Sequence, residues 1–128
     1  MRQASILIVD DHDENVVLLT RILQRAGYTR LRGITDSRQI ADEVRELEPD
    51  LLLLDLHMPH LDGFAVMEQL RPDRPPRFPV LLVTGEVDDR TRQEALNRGA
   101  TDVLTKPYEV AKVLDAVERL LRARLSWT

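Results

Sequence analysis

The chain has 128 residues, of which 43% are hydrophobic and 31% are charged, a length and composition that suit one compact domain with a hydrophobic core. Its 22 acidic and 18 basic residues give a net charge of −4 and are mixed along the whole sequence, so no basic stripe indicates nucleic acid or an anionic membrane as a partner. We therefore expect a single domain over residues 1–128, without an effector domain, that binds neither nucleic acid nor membrane directly.

Cysteine is absent from the sequence, which excludes disulfides, thiolate chemistry and thiolate metal sites. The N-terminus MRQASILIVDD contains too short an apolar run for a signal peptide, because two acidic residues end it, and no apolar run reaches membrane-spanning length. These features predict a soluble, cytoplasmic protein.

Short apolar runs alternate with helical patterns along the chain. Five runs are bounded by Asp, Pro or Gly and are too short for core helices, so we predict them as strands. They are Ser5–Asp10, Leu31–Ile34, Asp50–Asp55, Pro79–Thr84 and Asp102–Thr105. The first, third and fourth are apolar on both faces, which is typical of central strands in a parallel sheet with helices on each side.

The segments between the strands carry apolar residues at helical spacing. These are Val16, Leu19, Ile22, Leu23 and Ala26 in the first, Ile40, Ala41, Val44 and Leu47 in the second, and Val110, Val113, Leu114, Val117, Leu120 and Leu121 in the fifth. Asp36 and Ser37 can cap the second helix, and Gly27 and Gly99 can end the first and fourth. Four prolines in Arg71–Pro79 predict a stiff loop before the fourth strand.

Five strand–helix repeats imply right-handed crossovers and a doubly wound, five-stranded parallel α/β sheet. In such a sheet, sites form beyond the carboxyl ends of the strands. The polar residues at those ends are Asp10, Asp11, Asp55, Thr84 and Lys106. Taken singly, each has a structural explanation: a helix cap for the aspartate pair, a loop carboxylate, a turn threonine or a solvated lysine.

Together, these five polar residues indicate a reactive site. Three carboxylates packed together repel one another, so a compensating cation is expected, and Mg²⁺ favours carboxylate, water and phosphate oxygens. Lys106 adds a fixed positive charge and Thr84 a neutral hydroxyl donor, which suits a site that accepts a phosphoryl group. Asp55 is the candidate nucleophile because it stands alone at the end of a central strand, whereas the adjacent Asp10 and Asp11 suit metal binding.

The three histidines are expected to be exposed loop residues. His12, His57 and His60 share no strand or helix face, and this spacing argues against an imidazole metal site.

Four motifs follow one another at the predicted strand ends: ILIVDD, DLHMPHLDG, VTGE and TKPY. With them the chain, over about residues 5 to 123, resembles the receiver domains of two-component response regulators. The resemblance implies a flavodoxin-like fold with strand order 2-1-3-4-5. It also implies that a sensor histidine kinase or phosphotransfer protein supplies a phosphoryl group, and that a downstream effector protein or domain responds. The only catalysis implied is the domain's own phosphotransfer and slow autodephosphorylation.

The resemblance also implies roles for the metal-side residues. Asp55 would take the phosphoryl group as an acyl phosphate. Asp11 would bind Mg²⁺ directly and Asp10 mostly through water, with Asp55 and the backbone carbonyl of His57 as further ligands.

Switch residues follow from the same resemblance. Thr84 and Lys106 would hold the phosphoryl oxygens in the activated state, and the bond before Pro107 is expected to be cis, as it usually is in the family. Receivers often carry an aromatic residue where this chain has Val103, so an aromatic rotamer switch is not expected here. Tyr108 lies where the family often has Phe and is expected to pack rather than switch.

Three rival functions fit parts of the sequence. A haloacid-dehalogenase-like phosphatase would use Asp11 as nucleophile and Asp13 as general acid, but no acidic pair follows a late strand to complete its metal site. A receiver-like docking module that is never phosphorylated is disfavoured because all five site residues are present. A flavodoxin-like cofactor protein is disfavoured because no Ser/Thr-rich phosphate loop follows the first strand.

Overall fold

Strands and helices alternate along the chain. The computed structural model describes residues 2–60, 62–70, 78–85 and 88–125. The elements are β1 (Ser5–Val9), α1 (Asp13–Arg25), β2 (Arg30–Ile34), a 3-10 turn (Ser37–Gln39), α2 (Ile40–Leu47), β3 (Leu51–Asp55), α3 (Gly63–Leu70), β4 (Val80–Thr84), α4 (Asp89–Asn97), β5 (Asp102–Thr105) and α5 (Val110–Leu125). All five predicted strands are present, with ends that differ by one residue at most. The predicted proline-rich loop lies outside the described residues, apart from Phe78 and Pro79.

The five strands form one parallel sheet in the order β2-β1-β3-β4-β5. This confirms the predicted doubly wound fold and its strand order. Each of the first four strands is followed by a helix that leads to the next strand, as parallel pairing requires, and α5 follows the last strand. β3 lies at the centre, so the residue at its carboxyl end is flanked by the ends of β1 and β4.

Every residue of β1, β3 and β4 is buried. Alternate side chains enter two hydrophobic clusters, one on each face of the sheet. Ile6 and Ile8 join the cluster that α1 and α5 cover, whereas Leu7 and Val9 join the cluster that α2, α3 and α4 cover. The apolar runs are therefore buried on both faces, which fixes the strand ends rigidly.

Helix ends follow the predicted signals in three places. Asp36 accepts a hydrogen bond from the Arg38 backbone N–H, although a 3-10 turn precedes α2. Gly27 and Gly99 adopt φ angles of 98° and 117° after α1 and α4, a conformation that favours glycine. Val110 opens α5 and is 54% exposed, whereas Val113, one turn later on the same apolar face, is completely buried.

Within the part of the chain that the structure describes, no helix combines the length and the apolar character needed to cross a bilayer.

Candidate functional site

Buried polar side chains gather at the carboxyl edge of the sheet. Asp10 directly follows β1, Asp55 ends β3 and Thr84 ends β4, and these residues are 2%, 4% and 0% exposed. Parallel strands bring their carboxyl ends to the same edge. The site therefore depends on strands anchored by leucine and valine side chains.

Lys106 links two of the buried carboxylates. Its Nζ lies 3.1 Å from Asp10 Oδ2 and 3.8 Å from Asp55 Oδ1. Its backbone N–H donates to the Thr84 carbonyl at 2.7 Å, and the Lys106–Pro107 bond is cis, as predicted. The lysine is thus held inside the site rather than on the surface, and its charge offsets the burial of the carboxylates.

Ligand atoms of Asp10, Asp11, His12 and Asp55 all lie within 4.8 Å of one another. His12 Nδ1 lies 3.4 Å from Asp10 Oδ1 and 3.3 Å from Asp11 Oδ1, so this histidine adjoins the carboxylates, and the expectation that the histidines form no metal site stays a prediction. The His12 side chain is 58% exposed, as predicted, but it turns one nitrogen inward. Its position directly after the aspartate pair and at the N-cap of α1 was the available signal.

Asp55 sits in the electrostatic environment that the cluster creates. Burial raises the pKa of Asp55 to about 6, and the charges of Asp10 and Asp11 raise it as well. The Lys106 ammonium and a hydrogen bond from the His57 backbone N–H, at 3.4 Å, act in the opposite direction. Burial therefore outweighs the lysine, and this carboxylate is more basic than an ordinary aspartate.

Three polar atoms of the site are buried without a hydrogen bond to any residue that the structure describes: Asp11 Oδ1, Thr84 Oγ1 and the Tyr108 hydroxyl. Buried polar atoms almost always have partners, so a ligand is the natural partner for such a group of atoms. Carboxylate oxygens at this spacing fit a hard divalent cation, and the Thr84 hydroxyl can donate to an anion.

The loop after Asp55 is held close to the strand end. The Gly63 backbone N–H donates to the Leu56 carbonyl at 2.7 Å. A Cβ at Gly63 would lie 2.9 Å from Leu56 Cα and 3.0 Å from the Asp55 carbonyl oxygen, so only glycine permits this close approach. Ser37 Oγ also donates to the Pro59 carbonyl at 3.0 Å, which ties the loop to the segment before α2.

Val103 and Tyr108 pack on opposite faces of the sheet. Val103 is 5% exposed and belongs to the cluster under α2, α3 and α4. Tyr108 packs against the opposite cluster, as expected, and its hydroxyl is buried. The predicted role of the His57 carbonyl as a metal ligand stays a prediction.

Comparison with known proteins identifies the family. The family model described as "Response regulator receiver domain" matches residues 6–118, and the chain belongs to this family. It is therefore a phosphoacceptor signalling domain of the two-component response regulator class. This assignment displaces the phosphatase and flavodoxin-like cofactor alternatives.

Individual relatives agree with this assignment. The chain is 39% identical to the DNA-binding dual master transcriptional regulator RpaA of Synechocystis sp. over 91% of this chain and 48% of that protein. It is 34% identical to Protein CcdB of Bacillus subtilis over 91% of this chain and 96% of that protein. A solved receiver domain of a Syntrophus aciditrophicus signal transduction histidine kinase superposes with a TM-score of 0.82 at 32% identity, covering 94% of this chain and 91% of that one. The chain spans about half the length of RpaA.

Proposed function

We propose that Asp55 is the phosphoacceptor of this receiver domain. In our proposal the donor is a phosphohistidine of a sensor kinase or phosphotransfer protein, and the phosphorylated domain acts on a downstream effector protein or domain. The observation that carries the proposal is the buried Asp55 carboxylate at the centre of the sheet edge, with Lys106 Nζ 3.8 Å from Asp55 Oδ1 and ligand atoms of Asp10 and Asp11 within 4.8 Å.

In the proposed step, an Asp55 carboxylate oxygen attacks the phosphorus atom. The new O–P bond forms as the P–N bond to the donor imidazole breaks, and the electron pair of that bond returns to the imidazole nitrogen. The pKa of about 6 leaves most Asp55 side chains ionised at pH 7 while making the carboxylate more basic than usual. Basicity of this kind favours nucleophilic attack.

Lys106 and Thr84 are placed to hold the phosphoryl oxygens. The lysine supplies the fixed positive charge that developing phosphoryl charge requires. The Thr84 hydroxyl is fully buried and has no hydrogen bond among the described residues, so it can donate to a phosphoryl oxygen without breaking an existing bond. Hydrolysis of the acyl phosphate would reset the domain.

Asp10, Asp11 and Asp55, with the His57 carbonyl, would hold Mg²⁺. When bound, Mg²⁺ neutralises negative charge on the phosphoryl oxygens. These oxygen ligands match the preference of Mg²⁺, whereas the imidazole of His12 suits softer metals.

The first prediction tests the nucleophile. Incubated with Mg²⁺ and acetyl phosphate, the protein should gain one base-labile phosphoryl group, which peptide mapping by mass spectrometry should place on Asp55. Asp55→Asn keeps the shape of the side chain and should gain none. Asp13→Asn is the control, because it would remove the general acid of the phosphatase alternative and should leave transfer intact. Recovery of the phosphoryl group on Asp11 would reject the assignment.

The second prediction concerns the metal. Asp10 is already engaged, because Oδ1 accepts from the His12 backbone N–H at 2.9 Å and Oδ2 from Lys106 at 3.1 Å. Asp11 Oδ1 has no hydrogen bond to a described residue and lies 3.3 Å from His12 Nδ1, so it is more available to a cation than either oxygen of Asp10. We expect Asp11→Asn to weaken Mg²⁺ binding by about tenfold or more, and Asp10→Asn to weaken it less. Calorimetric titration measures both, and an Asp11→Asn affinity equal to that of the wild type would remove Asp11 from the site.

Residues 1–128 form a single receiver domain in this proposal, and its catalysis is limited to its own phosphotransfer and slow autodephosphorylation. The name of RpaA states that it binds DNA. We do not propose DNA binding for this chain, because its acidic and basic residues are mixed along the sequence.

A further inference from the structure

A hydrogen bond joins the segment after β2 to the loop after β3. Ser37 opens the 3-10 turn that follows β2 and is 3% exposed. Its Oγ donates to the carbonyl of Pro59, in the loop between β3 and α3, at 3.0 Å. The sequence predicts Ser37 as a helix cap, and Asp36 caps the turn. The serine hydroxyl therefore serves a contact with a part of the chain 22 residues away.

This bond links the two loops on either side of the aspartate pair. β2 and β3 are the two neighbours of β1 in the sheet, and Asp10 and Asp11 directly follow β1. The end of β2 is fixed to the end of β1, because the Asp10 backbone N–H donates to the Ile34 carbonyl at 3.3 Å. Ser37 comes three residues after Ile34, so its hydroxyl holds the loop after β3 from a segment that is anchored beside Asp10.

Two other hydrogen bonds anchor the loop after β3, and both lie close to β3 itself. The His57 backbone N–H donates to Asp55 Oδ1 at 3.4 Å, and the Gly63 N–H donates to the Leu56 carbonyl at 2.7 Å. These bonds fix the points at which the loop leaves the strand and enters α3. The serine bond fixes the stretch between them, at Pro59, relative to the neighbouring strands.

The proposed function assigns the backbone carbonyl of His57, two residues before Pro59, to Mg²⁺. A carbonyl on a flexible loop loses conformational freedom when it binds a cation, and this loss weakens binding. A loop that hydrogen bonds already hold in place loses less. Groups that orient metal ligands from outside the coordination sphere typically raise metal affinity by about tenfold or more.

We propose that Ser37 is a positioning residue for the metal: its hydroxyl holds the loop after β3 through the Pro59 carbonyl, so that the His57 carbonyl is kept in place for the cation. This inference rests on the proposed function, in which the His57 carbonyl is a Mg²⁺ ligand. Removal of the hydroxyl should therefore loosen the loop and weaken Mg²⁺ binding while all the metal ligands are still present.

The first test asks whether the bond holds the loop in the metal-free protein. Pro59–His60 is the one Pro–His step in the sequence, so ¹³C′-proline with ¹⁵N-histidine gives a single HNCO signal from this peptide group. A carbonyl that loses its donor is less polarised, so in EDTA the ¹³C′ signal of Ser37→Ala should move upfield. Thr20→Val removes a hydroxyl that donates to the Val16 carbonyl at 2.7 Å within α1, and this control should leave the signal unchanged. A Pro59 signal identical in Ser37→Ala and the wild type would overturn the proposal.

The second test follows the metal ligand. His57–Met58 is the one His–Met step in the sequence, so ¹³C′-histidine with ¹⁵N-methionine reports the His57 carbonyl alone. Mg²⁺ should shift this signal in the wild type, and the midpoint of the titration should lie at about tenfold higher Mg²⁺ in Ser37→Ala. Thr20→Val should titrate like the wild type. Equal midpoints in Ser37→Ala and the wild type would overturn the proposal.

A conservative variant distinguishes the hydrogen bond from a general disturbance of the turn. Ser37→Thr keeps the hydroxyl, so it should keep both the Pro59 signal and the Mg²⁺ midpoint of the wild type. A Ser37→Thr protein that keeps the Pro59 signal but binds Mg²⁺ as weakly as Ser37→Ala would show that metal affinity does not follow this bond, and would overturn the proposal.

The titration also separates this inference from the proposed function. A wild-type His57 signal that does not respond to Mg²⁺ would reject the metal role of that carbonyl, and the role of Ser37 with it. A normal response of the wild type with an unchanged midpoint in Ser37→Ala would reject only the role of Ser37.

Discussion

The Asp55 carboxylate is buried next to two other carboxylates, and this placement costs the metal-free protein stability. Its pKa is about 6 in the folded state, against 3.8 for an ordinary aspartate. Below pH 3.8 the group is protonated in both the folded and unfolded states and costs nothing. Between pH 4 and 6 the unfolded state releases the proton first, so stability falls as pH rises and then levels off near pH 7.

Removal of this charge should stabilise the protein, which is the third prediction. Without Mg²⁺, Asp55→Asn should be more stable than the wild type at pH 7 by on the order of 2 kcal/mol, and the difference should vanish below pH 4. Urea unfolding from pH 3.5 to 7.5 in the presence of EDTA measures this. The control is Asp115→Asn, at an exposed position on α5. A wild-type protein at least as stable as Asp55→Asn at pH 7 would contradict the expected cost of burial.

At the scale of elements, α4 is loosely joined to the core. Ala95 is the buried residue within its described span, and Leu96 is 38% exposed. Its ties to β5 are a 3.3 Å hydrogen bond from Arg92 Nη1 to the Val103 carbonyl and a 3.7 Å contact between Arg92 and Asp102. Elements with few buried contacts move at low cost. A pull on Thr84, at the end of the preceding strand, can therefore shift the start of α4.

The fourth prediction follows this route. A phosphoryl mimic on Asp55 should draw Thr84, Gly85 and Glu86 inward. The start of α4 should follow, because Val87 joins that loop to the helix. Glu86 and Val87 lie outside the described residues. Thr84→Ala should still be phosphorylated but should lose most of the amide shifts in residues 85–98 that beryllofluoride induces. Coupling free energies between two sites are typically about 1–3 kcal/mol, so loss of one hydroxyl can remove much of the preference for the active conformation.

Val103→Ala is the comparison variant in this experiment. Val103 is buried but has no ring to rotate, so the shifts should survive its truncation. Two-dimensional NMR spectra with and without beryllofluoride measure both variants. Shifts that disappear in Val103→Ala and persist in Thr84→Ala would show that the signal takes another path.

At the scale of the whole molecule, one sheet joins two hydrophobic layers. Leu53 and Leu54 are neighbours on β3, yet Leu53 enters the cluster under α1 and α5 and Leu54 the cluster under α2, α3 and α4. Both side chains are almost completely buried. Because the same strand supports both layers, neither layer can unfold while the other stays folded.

The fifth prediction is that Leu53→Ala and Leu54→Ala each cost about 2–5 kcal/mol of unfolding free energy. Each variant should still unfold in one transition. Circular dichroism and the amide signals of two-dimensional NMR spectra, recorded through the same urea titration, should give coincident unfolding curves. Two separate transitions in either variant would show that the layers are independent units.

Local patterns in the sequence determined the elements and the edge at which the site lies. Apolar runs such as ILIV and LLLL can be buried only as central strands, and the parallel arrangement then brings Asp10, Asp55 and Thr84 to one edge. The ends of α1 and α4 could also be predicted from their glycines, because the left-handed backbone conformation of a glycine is a local property. The catalytic and metal roles assigned to the site residues remain predictions.

Tertiary structure alone decided which of these side chains touch. Lys106 and Asp10 are 96 residues apart, and only packing places the lysine closer to Asp10 than to Asp55. The burial of the Tyr108 hydroxyl could not be predicted from the sequence either. Sequence periodicity specifies the face of an element on which a residue lies, whereas contacts of a few ångströms between distant residues depend on how helices, strands and loops meet in the folded core.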